Sequence, residues 1–246
     1  NIKHEKFSKV TLNANNDFQL NDNLKVGFQF NGARLLPADS KQVLNALRAA
    51  PIAPVYNEEH RLYAVLPEFQ KAQIDNPMVD VAVRANTTKA ENYRASGSLF
   101  GEINFLKHFN FKTTFSLDYA NNNGRTYTPV IRMYDPTVKG DIVTLGTGKT
   151  AVSQLKENEM KVQSDYVLTY SNHFGKGHQL TATVGFTTYY NSFSRLDGAR
   201  KQGVGLLIPD NPDKWFLSIG DAATATNGSS QWERSTLSLL ARVIYN

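Results

Sequence analysis

Apolar and polar side chains alternate along residues 9–20 and again along 24–33, with only Asn21-Asp22-Asn23 between the two runs. Successive side chains of a strand point to opposite faces, so these runs predict a hairpin with one apolar and one strongly polar face. Five further runs of this kind follow, at 93–105, 111–119, 160–171, 179–191 and 231–245. Most are longer than the roughly five or six residues of a typical strand. The pattern indicates the wall of a membrane β-barrel.

The connections between these runs are alternately short and long. Short turns are predicted at 21–23, 106–110 and 175–178, and long loops at about 34–92, 120–160 and 192–230. In an antiparallel sheet, this order places all short turns at one end and all long loops at the other. Outer-membrane barrels show this asymmetry, whereas compact soluble domains rarely carry several loops beyond about 12–15 residues. We therefore predict an all-β fold whose antiparallel strands form part of the wall of a large transmembrane β-barrel.

The chain is expected to be one piece of such a barrel. About seven strands are fewer than the roughly eight of the smallest single-chain barrels, and an open sheet edge in lipid leaves backbone groups unsatisfied. Asn1 stands close to a strand and Tyr245-Asn246 falls within one. Residues 1–246 are therefore treated as a partial β-barrel domain, with partner strands in other sequence or other chains.

Composition narrows the possible function classes. The mean hydropathy is −0.41, and no apolar run approaches the roughly 20 residues of a transmembrane helix, although alternating strands escape that criterion. The absence of cysteine excludes disulfides and thiolate metal sites. The 27 basic residues are scattered among 22 acidic ones, without the basic block that marks a nucleic-acid partner.

The first long loop contains a series of sequence landmarks. A helix is predicted at 40–50, with Asp39 or Ser40 as its N-cap and Pro51 and Pro54 beyond its end. The landmarks are, in order, Asn45-Ala46-Leu47-Arg48-Ala49-Ala50-Pro51, Pro54-Val55-Tyr56-Asn57, Asn76-Pro77, which breaks the chain again, and Tyr93-Arg94. Together with the preceding hairpin, they resemble the first half of the barrel in SusC/RagA-type TonB-dependent transporters of Bacteroidetes. The resemblance covers most of 7–119.

That resemblance implies a plugged barrel of roughly 22 strands in the cell outer membrane, importing oligosaccharides or peptides. Import in this family is driven by TonB, and a SusD-like surface lipoprotein caps the barrel. The family's plug domain, TonB box and C-terminal strands have no counterpart in this sequence, so no TonB-coupling residue is transferred to it. The implied partners are the lipoprotein, TonB through regions outside 1–246, outer-membrane lipid, and a glycan or peptide substrate.

The two faces of the strands receive different assignments. The apolar set is predicted to meet lipid; it includes Leu12, Val26, Phe28, Leu117, Val184 and Leu239. The charged and amide side chains of the other face are then candidates for the lumen lining: Lys25, Gln29, Glu102, Lys112, Asp118, Lys161, Asp165 and Arg242. For each of these, solvation or docking of a plug is favoured over substrate contact.

Aromatic residues in the long loops are candidate ligand or partner contacts, because exposed rings stack on sugars and form interface hot spots. These residues are Tyr56, Tyr63, Phe69, Trp215 and Phe216. Packing of the loops against one another is the alternative for each. The stretch 222–229, rich in Thr, Ala, Gly and Ser, is expected to be mobile.

Three other motifs are interpreted as ordinary loop or turn residues. Gly146-Thr147-Gly148-Lys149-Thr150 resembles the end of a phosphate-binding loop, but the motif needs a glycine at position 143, where valine stands, and a following helix. His173 and His178 flank a turn without a third ligand. Glu58-Glu59 and Asp210-Asn211-Pro212-Asp213 lack a defined separation across a cleft. No catalytic residue, cofactor or metal is predicted, and enzymatic activity is not expected.

Two other function classes remain open. In a soluble β-sandwich or jelly-roll carbohydrate-binding module, the apolar faces would form a shared core between two packed sheets. A non-transporting barrel that acts as a scaffold in an envelope assembly would differ from the transporter only in its N-terminal plug and TonB box.

Overall fold

A computed structural model of the chain describes residues 6–38, 43–49, 55–68, 75–175 and 177–246. The elements in chain order are β1 (Ser8–Asn21), β2 (Leu24–Leu36), α1 (Val43–Arg48), β3 (Tyr56–Asn57), β4 (Leu62–Tyr63), α2 (Pro77–Ala82), β5 (Thr88–Phe105), β6 (Phe109–Thr128), β7 (Ile131–Tyr134), β8 (Ile142–Leu145), β9 (Ala151–Phe174), β10 (His178–Lys201) and β11 (Thr226–Tyr245). Seven long strands form one antiparallel sheet in the order β1-β2-β5-β6-β9-β10-β11. The predicted all-β antiparallel fold is confirmed.

The register of the sheet brings the apolar sets of all seven strands onto one face. Phe28 lies opposite Leu99, and Leu99 lies opposite Phe115. Farther along the sheet, Leu168 pairs with Val184. Because paired residues of an antiparallel ladder share a face, the alternation predicted separately for each strand combines into a single apolar surface, here called the apolar face.

The described part of the chain leaves much of this apolar face uncovered. Leu12 is 64% exposed, Leu99 61% and Leu239 76%. In a soluble sandwich, these positions would form the dry interface between two sheets. The other two sheets of the structure are the two-stranded β3-β4 and β7-β8 hairpins, which belong to the long loops.

The apolar face has the height of a membrane. On β6, the stretch from Phe109 to Tyr119 corresponds to ten residue steps of about 3.4 Å each. At the tilt of roughly 40° usual in barrels, this stretch spans about 25 Å, which matches the apolar band of outer-membrane barrels. Aromatic rings stand at both ends of this band. At the short-turn end, the ring centroids of Phe109 and Tyr170 lie 5.0 Å apart. Tyr93 and Tyr119 lie at the long-loop end.

The strands continue past this band toward the long loops. β9 and β10 each contain 24 residues, more than twice the roughly 9–11 that cross a bilayer. The loops joining long strands are consequently shorter than predicted, at 37–87, 129–150 and 202–225. Alternation disappears beyond the band because both faces carry polar residues there, as in Asn121-Asn122-Asn123 and 156–159.

One expectation about the third loop is corrected. Residues 222–229 were predicted to be mobile, but 222–224 form a 3-10 turn and β11 begins at Thr226. Thr226 pairs with Ala199 of β10. The small residues of this stretch fit a strand because β10 supplies a complete ladder of backbone partners.

Asn76-Pro77 starts a helix rather than a simple break. Asn76 caps α2 by accepting a hydrogen bond from the Met78 N–H at 3.0 Å, with proline at the first helical position. Its side-chain amide donates to the carbonyls of Val55 (2.9 Å) and Ala64 (2.7 Å). The predicted helix at 40–50 corresponds to α1, while Asp39, Ser40, Ala50, Pro51 and Pro54 lie outside the described residues. Within the part of the chain that is described, no helix combines the length and hydropathy needed to cross a bilayer.

The long loops interlock into a cap, here called the loop cap, made of the described residues of 37–87, 129–150 and 202–225. Val65 N–H donates to the Tyr134 carbonyl at 2.8 Å, joining the first loop to the second. Thr150 joins the second to the third, since its hydroxyl donates to Gln202 (2.7 Å) and accepts from the Ile208 N–H (3.1 Å). The loops thus satisfy one another's polar groups.

Candidate functional site: the polar face and the loop cap

All eight candidate lumen residues lie on the face opposite the apolar one. Lys25 pairs with Glu102 and Glu102 with Lys112, so these charges form one row across β2, β5 and β6. Asp118 and Lys161 face each other across β6 and β9. Gln29, Asp165 and Arg242 occupy the same phase of their strands. The eight side chains thus share one surface, here called the polar face. A common role as the lining of a lumen requires this arrangement.

Ion pairs and hydrogen bonds connect the polar face. Asp17 binds Lys25 at 2.8 Å, and Glu159 binds Lys161 at 2.9 Å. Arg94 donates two hydrogen bonds to the Asp118 carboxylate, from Nε at 3.0 Å and from Nη2 at 2.5 Å.

Neutral side chains complete this network. Asp165 accepts hydrogen bonds from Gln163 at 2.9 Å and from Thr187 at 2.7 Å. Glu102 accepts one from Asn110 at 2.7 Å. The groups are half-exposed or exposed, so the polar face is a charged surface that is accessible to solvent.

Phe100 is the exception in the polar phase of β5, and the structure explains it. The amines of Lys25 and Lys112 lie 5.7 and 5.2 Å from its ring centroid, within cation–π range. Gly27 faces Phe100 across the ladder, and a Cβ atom on Gly27 would come within 2.4 Å of the ring. The glycine therefore makes room for an aromatic ring between two cations.

The loop aromatics occupy three environments. Tyr56 (40% exposed) and Tyr63 meet edge to face at 5.3 Å on the β3-β4 hairpin. Trp215 is completely buried, stacked at 5.5 Å on Tyr127, and its indole N–H donates to the Pro209 carbonyl at 3.3 Å. Its contacts are those of loop packing. Phe216 remains 47% exposed, and Phe69 lies outside the described residues.

Among the described residues, two small buried clusters lie in the loop cap and at its junction with β6 and β9. The Trp215 cluster contains Tyr127, Val152, Ile208 and Trp215, with Leu217 packed against it. The Val79 cluster contains Val79, Ile131 and Met133, with Tyr63, Val65, Val83, Val143 and Leu145 around it. Burial raises the pKa of the Tyr127 phenol, eight residues beyond the band, and the nearby Asp210 carboxylate adds to this effect.

The remaining motifs have structural surroundings of their own. Gly146 and Gly148 adopt positive φ in the turn after β8, and strand β9, rather than a helix, begins at Ala151. This turn lacks the helix N-terminus that a phosphate-binding loop requires. His178 Nδ1 lies 2.6 Å from the Tyr245 hydroxyl at the short-turn end. Among the described residues, no group of three or more His, Asp or Glu side chains is placed to hold a metal ion.

The carboxylates of the loops also have local roles. Asn211 caps the 3-10 turn Pro212–Lys214 by accepting from the Asp213 N–H at 2.9 Å. The Asp213 carboxylate reaches Lys89 at 3.5 Å and is largely exposed. Glu58 and Glu59 lie in the turn between β3 and β4. The interpretation as solvated loop charge agrees with these positions.

Sequence reasoning overlooked one set of polar residues. Lys89, Arg125 and Lys156 occupy the apolar phase of β5, β6 and β9, beyond the aromatic end of the band. The sequence contained a signal for them, because these cations continue the apolar phase of their strands past Tyr93 and Tyr119. It was concealed because these positions were assigned to loops.

Comparison with solved structures identifies relatives of this fold. The RagAB peptide importer in its "closed-closed" state matches with a TM-score of 0.66 at 16% identity, and in its "open-open" state with 0.67 at 15%. A structure of the RagAB peptide transporter gives 0.67 at 15%. Each match covers 98% of this chain and 26% of the other, so this chain spans about a quarter of their length. At this identity the likeness establishes the fold, which agrees with the SusC/RagA-type barrel wall expected from the sequence.

No family model matches the sequence, and no curated protein matches it.

Proposed function

We propose that this chain is a segment of the barrel wall of a SusC/RagA-type TonB-dependent transporter in the cell outer membrane. One observation carries the proposal: across the seven strands, one face is mainly apolar over the height of a bilayer and the opposite face is mainly polar, with charged residues on most strands. The segregation of short turns and long loops to opposite ends supports the same assignment.

The apolar face is assigned to lipid on energetic grounds. Leu12, Leu99 and Leu239 are each more than 60% exposed, and exposed apolar patches of this extent mark contact with a partner or a membrane. Hydrocarbon removes these side chains from water without a second protein layer. The open edges of β1 and β11 would pair with further strands of the same wall, because unpaired backbone in lipid is costly.

The polar face is assigned to the barrel lumen. Its ion pairs, such as Arg94–Asp118, keep charge in a hydrated interior, and the lumen of outer-membrane barrels is polar. The eight lumen candidates would hold a plug domain or the water around it. The face would contribute to passage and plug docking, without enzymatic chemistry.

The transported substrate is proposed to be a peptide or an oligosaccharide. The structurally similar RagAB proteins are described as a peptide importer, which favours the peptide. A SusD-like lipoprotein would cover the long-loop end, where Tyr56 and Phe216 remain exposed for contact, and TonB would act through regions outside 1–246. Deleting TonB from cells that carry the full-length protein should abolish labelled-peptide uptake, and unchanged uptake would contradict the coupling.

The lipid assignment is tested by Phe28→Arg in the full-length protein. Phe28 lies near the middle of the apolar band on β2, so a buried guanidinium there should reduce the free energy of unfolding by about 2–4 kcal/mol. Gln29→Arg is the matched control, since it adds the same charge one residue away on the polar face, where a change within about 0.5 kcal/mol is expected. Urea unfolding in lipid vesicles measures both.

Equal stability of the two variants would contradict the membrane orientation. A full-length protein that stays monomeric and folded in buffer without detergent would instead favour the soluble carbohydrate-binding module.

A further inference from the structure

A cavity of about 440 Å³ opens at the long-loop end of the sheet. Its walls are two neighbouring rows of paired residues. One row is Glu91, Asn123 and Lys156, and the next is Lys89, Arg125 and Gln154. Both rows continue the phase of the apolar face, and Phe216 of the third loop also lines the cavity. The cavity therefore stands on the side of the wall that the proposed function assigns to lipid.

The cavity begins at the height of lipid headgroups and extends above it. Glu91 and Lys89 lie two and four residues beyond Tyr93, which marks the end of the apolar band. At about 3.4 Å per residue and roughly 40° of tilt, they stand about 5 and 10 Å above it. The headgroup layer on each side of the hydrocarbon core is about 5–7 Å thick, so the Glu91 row lies within this layer and the Lys89 row lies just above it.

The charge of the cavity is net positive. Lys89, Arg125 and Lys156 supply three cations against the single carboxylate of Glu91. Both oxygens of that carboxylate are engaged, one by Arg34 at 3.4 Å and the other by the Tyr93 hydroxyl at 2.9 Å.

Two of the cations, Arg125 and Lys156, form no ion pair with any of the described residues. Lys156 is exposed and forms no ion pair among them. Asp213 reaches only Lys89, at 3.5 Å, from a largely exposed position.

Arg125 supplies the most specific observation. Its guanidinium lies 4.5 Å from the Phe216 ring centroid, and its Nη1 atom is buried without an acceptor among the described residues. A buried donor without an acceptor is costly, and more so when it is charged. Phosphate, like carboxylate, accepts two parallel hydrogen bonds from a guanidinium group.

We propose that this cavity binds the phosphate of an anionic lipid headgroup in the outer leaflet, with Arg125 and Lys156 as the principal contacts. The inference rests on the proposed membrane orientation. Basic pockets at the membrane surface are an established means of binding anionic headgroups. The site would fix lipid to the barrel wall directly beneath the third loop, and Phe216 would hold the Arg125 guanidinium in place.

The test uses the full-length protein in nanodiscs of phosphatidylcholine with added lipid A, either bis-phosphorylated or enzymatically dephosphorylated. Lipid A bound per protein is measured by native mass spectrometry across a titration. The phosphorylated form should bind preferentially. A basic residue near an anionic lipid surface contributes about five-fold in affinity, so Arg125→Gln/Lys156→Gln should bind roughly 25-fold more weakly.

The matched control is Lys161→Gln/Arg195→Gln, which removes two cations from the polar face of β9 and β10 and should leave lipid A binding unchanged. Equal binding of the dephosphorylated lipid, or wild-type affinity in the Arg125/Lys156 double variant, would overturn the proposal. Displacement of lipid A by millimolar inorganic phosphate would also overturn it, because the site would then take free phosphate. Failure of the proposed function appears separately, as a protein that does not enter nanodiscs.

Discussion

The seven-stranded sheet and the loop cap are organised in opposite ways. In the sheet, large apolar side chains such as Leu99 and Leu239 stand exposed, and order comes from continuous backbone ladders. In the loop cap, Trp215 and Val79 are buried to 1% exposure or less, and Asn76 is buried with its hydrogen bonds satisfied. The cap buries small cores, one of them together with the ends of β6 and β9, whereas the apolar face of the sheet stays largely uncovered by the described residues.

This difference explains why apolar residues follow one pattern along the strands of the sheet and another in the loops of the cap. A surface covered by lipid needs apolar residues only in alternate positions, so its composition stays polar on average. A cap covered by water needs buried anchors from distant parts of the chain, because no single loop is large enough to bury a core.

The largest expected effect is in the cap. Trp215→Ala should lower the free energy of unfolding by about 3–5 kcal/mol, because the indole is completely buried against Tyr127 and Val152. Trp215→Phe keeps the ring stack and loses the N–H bond to Pro209, so its cost should be clearly smaller. Hydrogen exchange of the full-length protein in detergent should show faster exchange confined to the third loop and adjoining strand ends. Loss of protection throughout β1 and β2 would show that cap and sheet are not separate in stability.

A smaller effect is expected within the sheet. A Cβ atom at Gly97 would lie 2.8 Å from the Gln29 carbonyl oxygen, which belongs to the backbone and cannot move aside easily. Gly97→Ala should therefore destabilise the barrel by about 1–3 kcal/mol through strain in the β2-β5 ladder. Gly101→Ala is the control on the same strand and face, because its nearest neighbour is Thr113 Cγ2 at 3.8 Å. If urea unfolding in vesicles gives the same result for both variants, close approach of the strands is not what requires Gly97.

The smallest effect sharpens the assignment of the polar face. Arg94 and Asp118 form a two-nitrogen ion pair, but the Arg94 side chain is 62% exposed. A double-mutant cycle with Arg94→Gln and Asp118→Asn should give a coupling of about 0.2–1 kcal/mol. The coupling should fall as salt rises, since mobile ions screen charges in water. A much larger coupling that is insensitive to salt would mean that this face is dry.

The sequence predicted the strands correctly within the apolar band and missed their continuation beyond it. On β6, Phe111, Phe115, Leu117 and Tyr119 alternate with polar residues, so the strand was readable. Its continuation to Thr128 passes through Asn121-Asn122-Asn123, where both faces are polar and alternation carries no information. The alternation is confined to the apolar band, so the predicted strands end where the band ends.

The candidate residues divide along the same line. The eight lumen candidates were chosen from alternation, and the register places all of them on one face. Trp215 was grouped with the exposed loop aromatics, although it is an anchor of the cap. Lys89, Arg125 and Lys156 went unnoticed because their positions were assigned to loops, where the strand register that brings them together was not predicted.

Local sequence patterns specify the strands of the band, their faces and the alternation of short and long connections, because side-chain phase and turn chemistry are local properties. Tertiary structure alone decided how far the strands project, which loop aromatics are buried and where cations of three strands converge. Those features depend on register and on contacts between loops separated by tens of residues, and no local pattern encodes them.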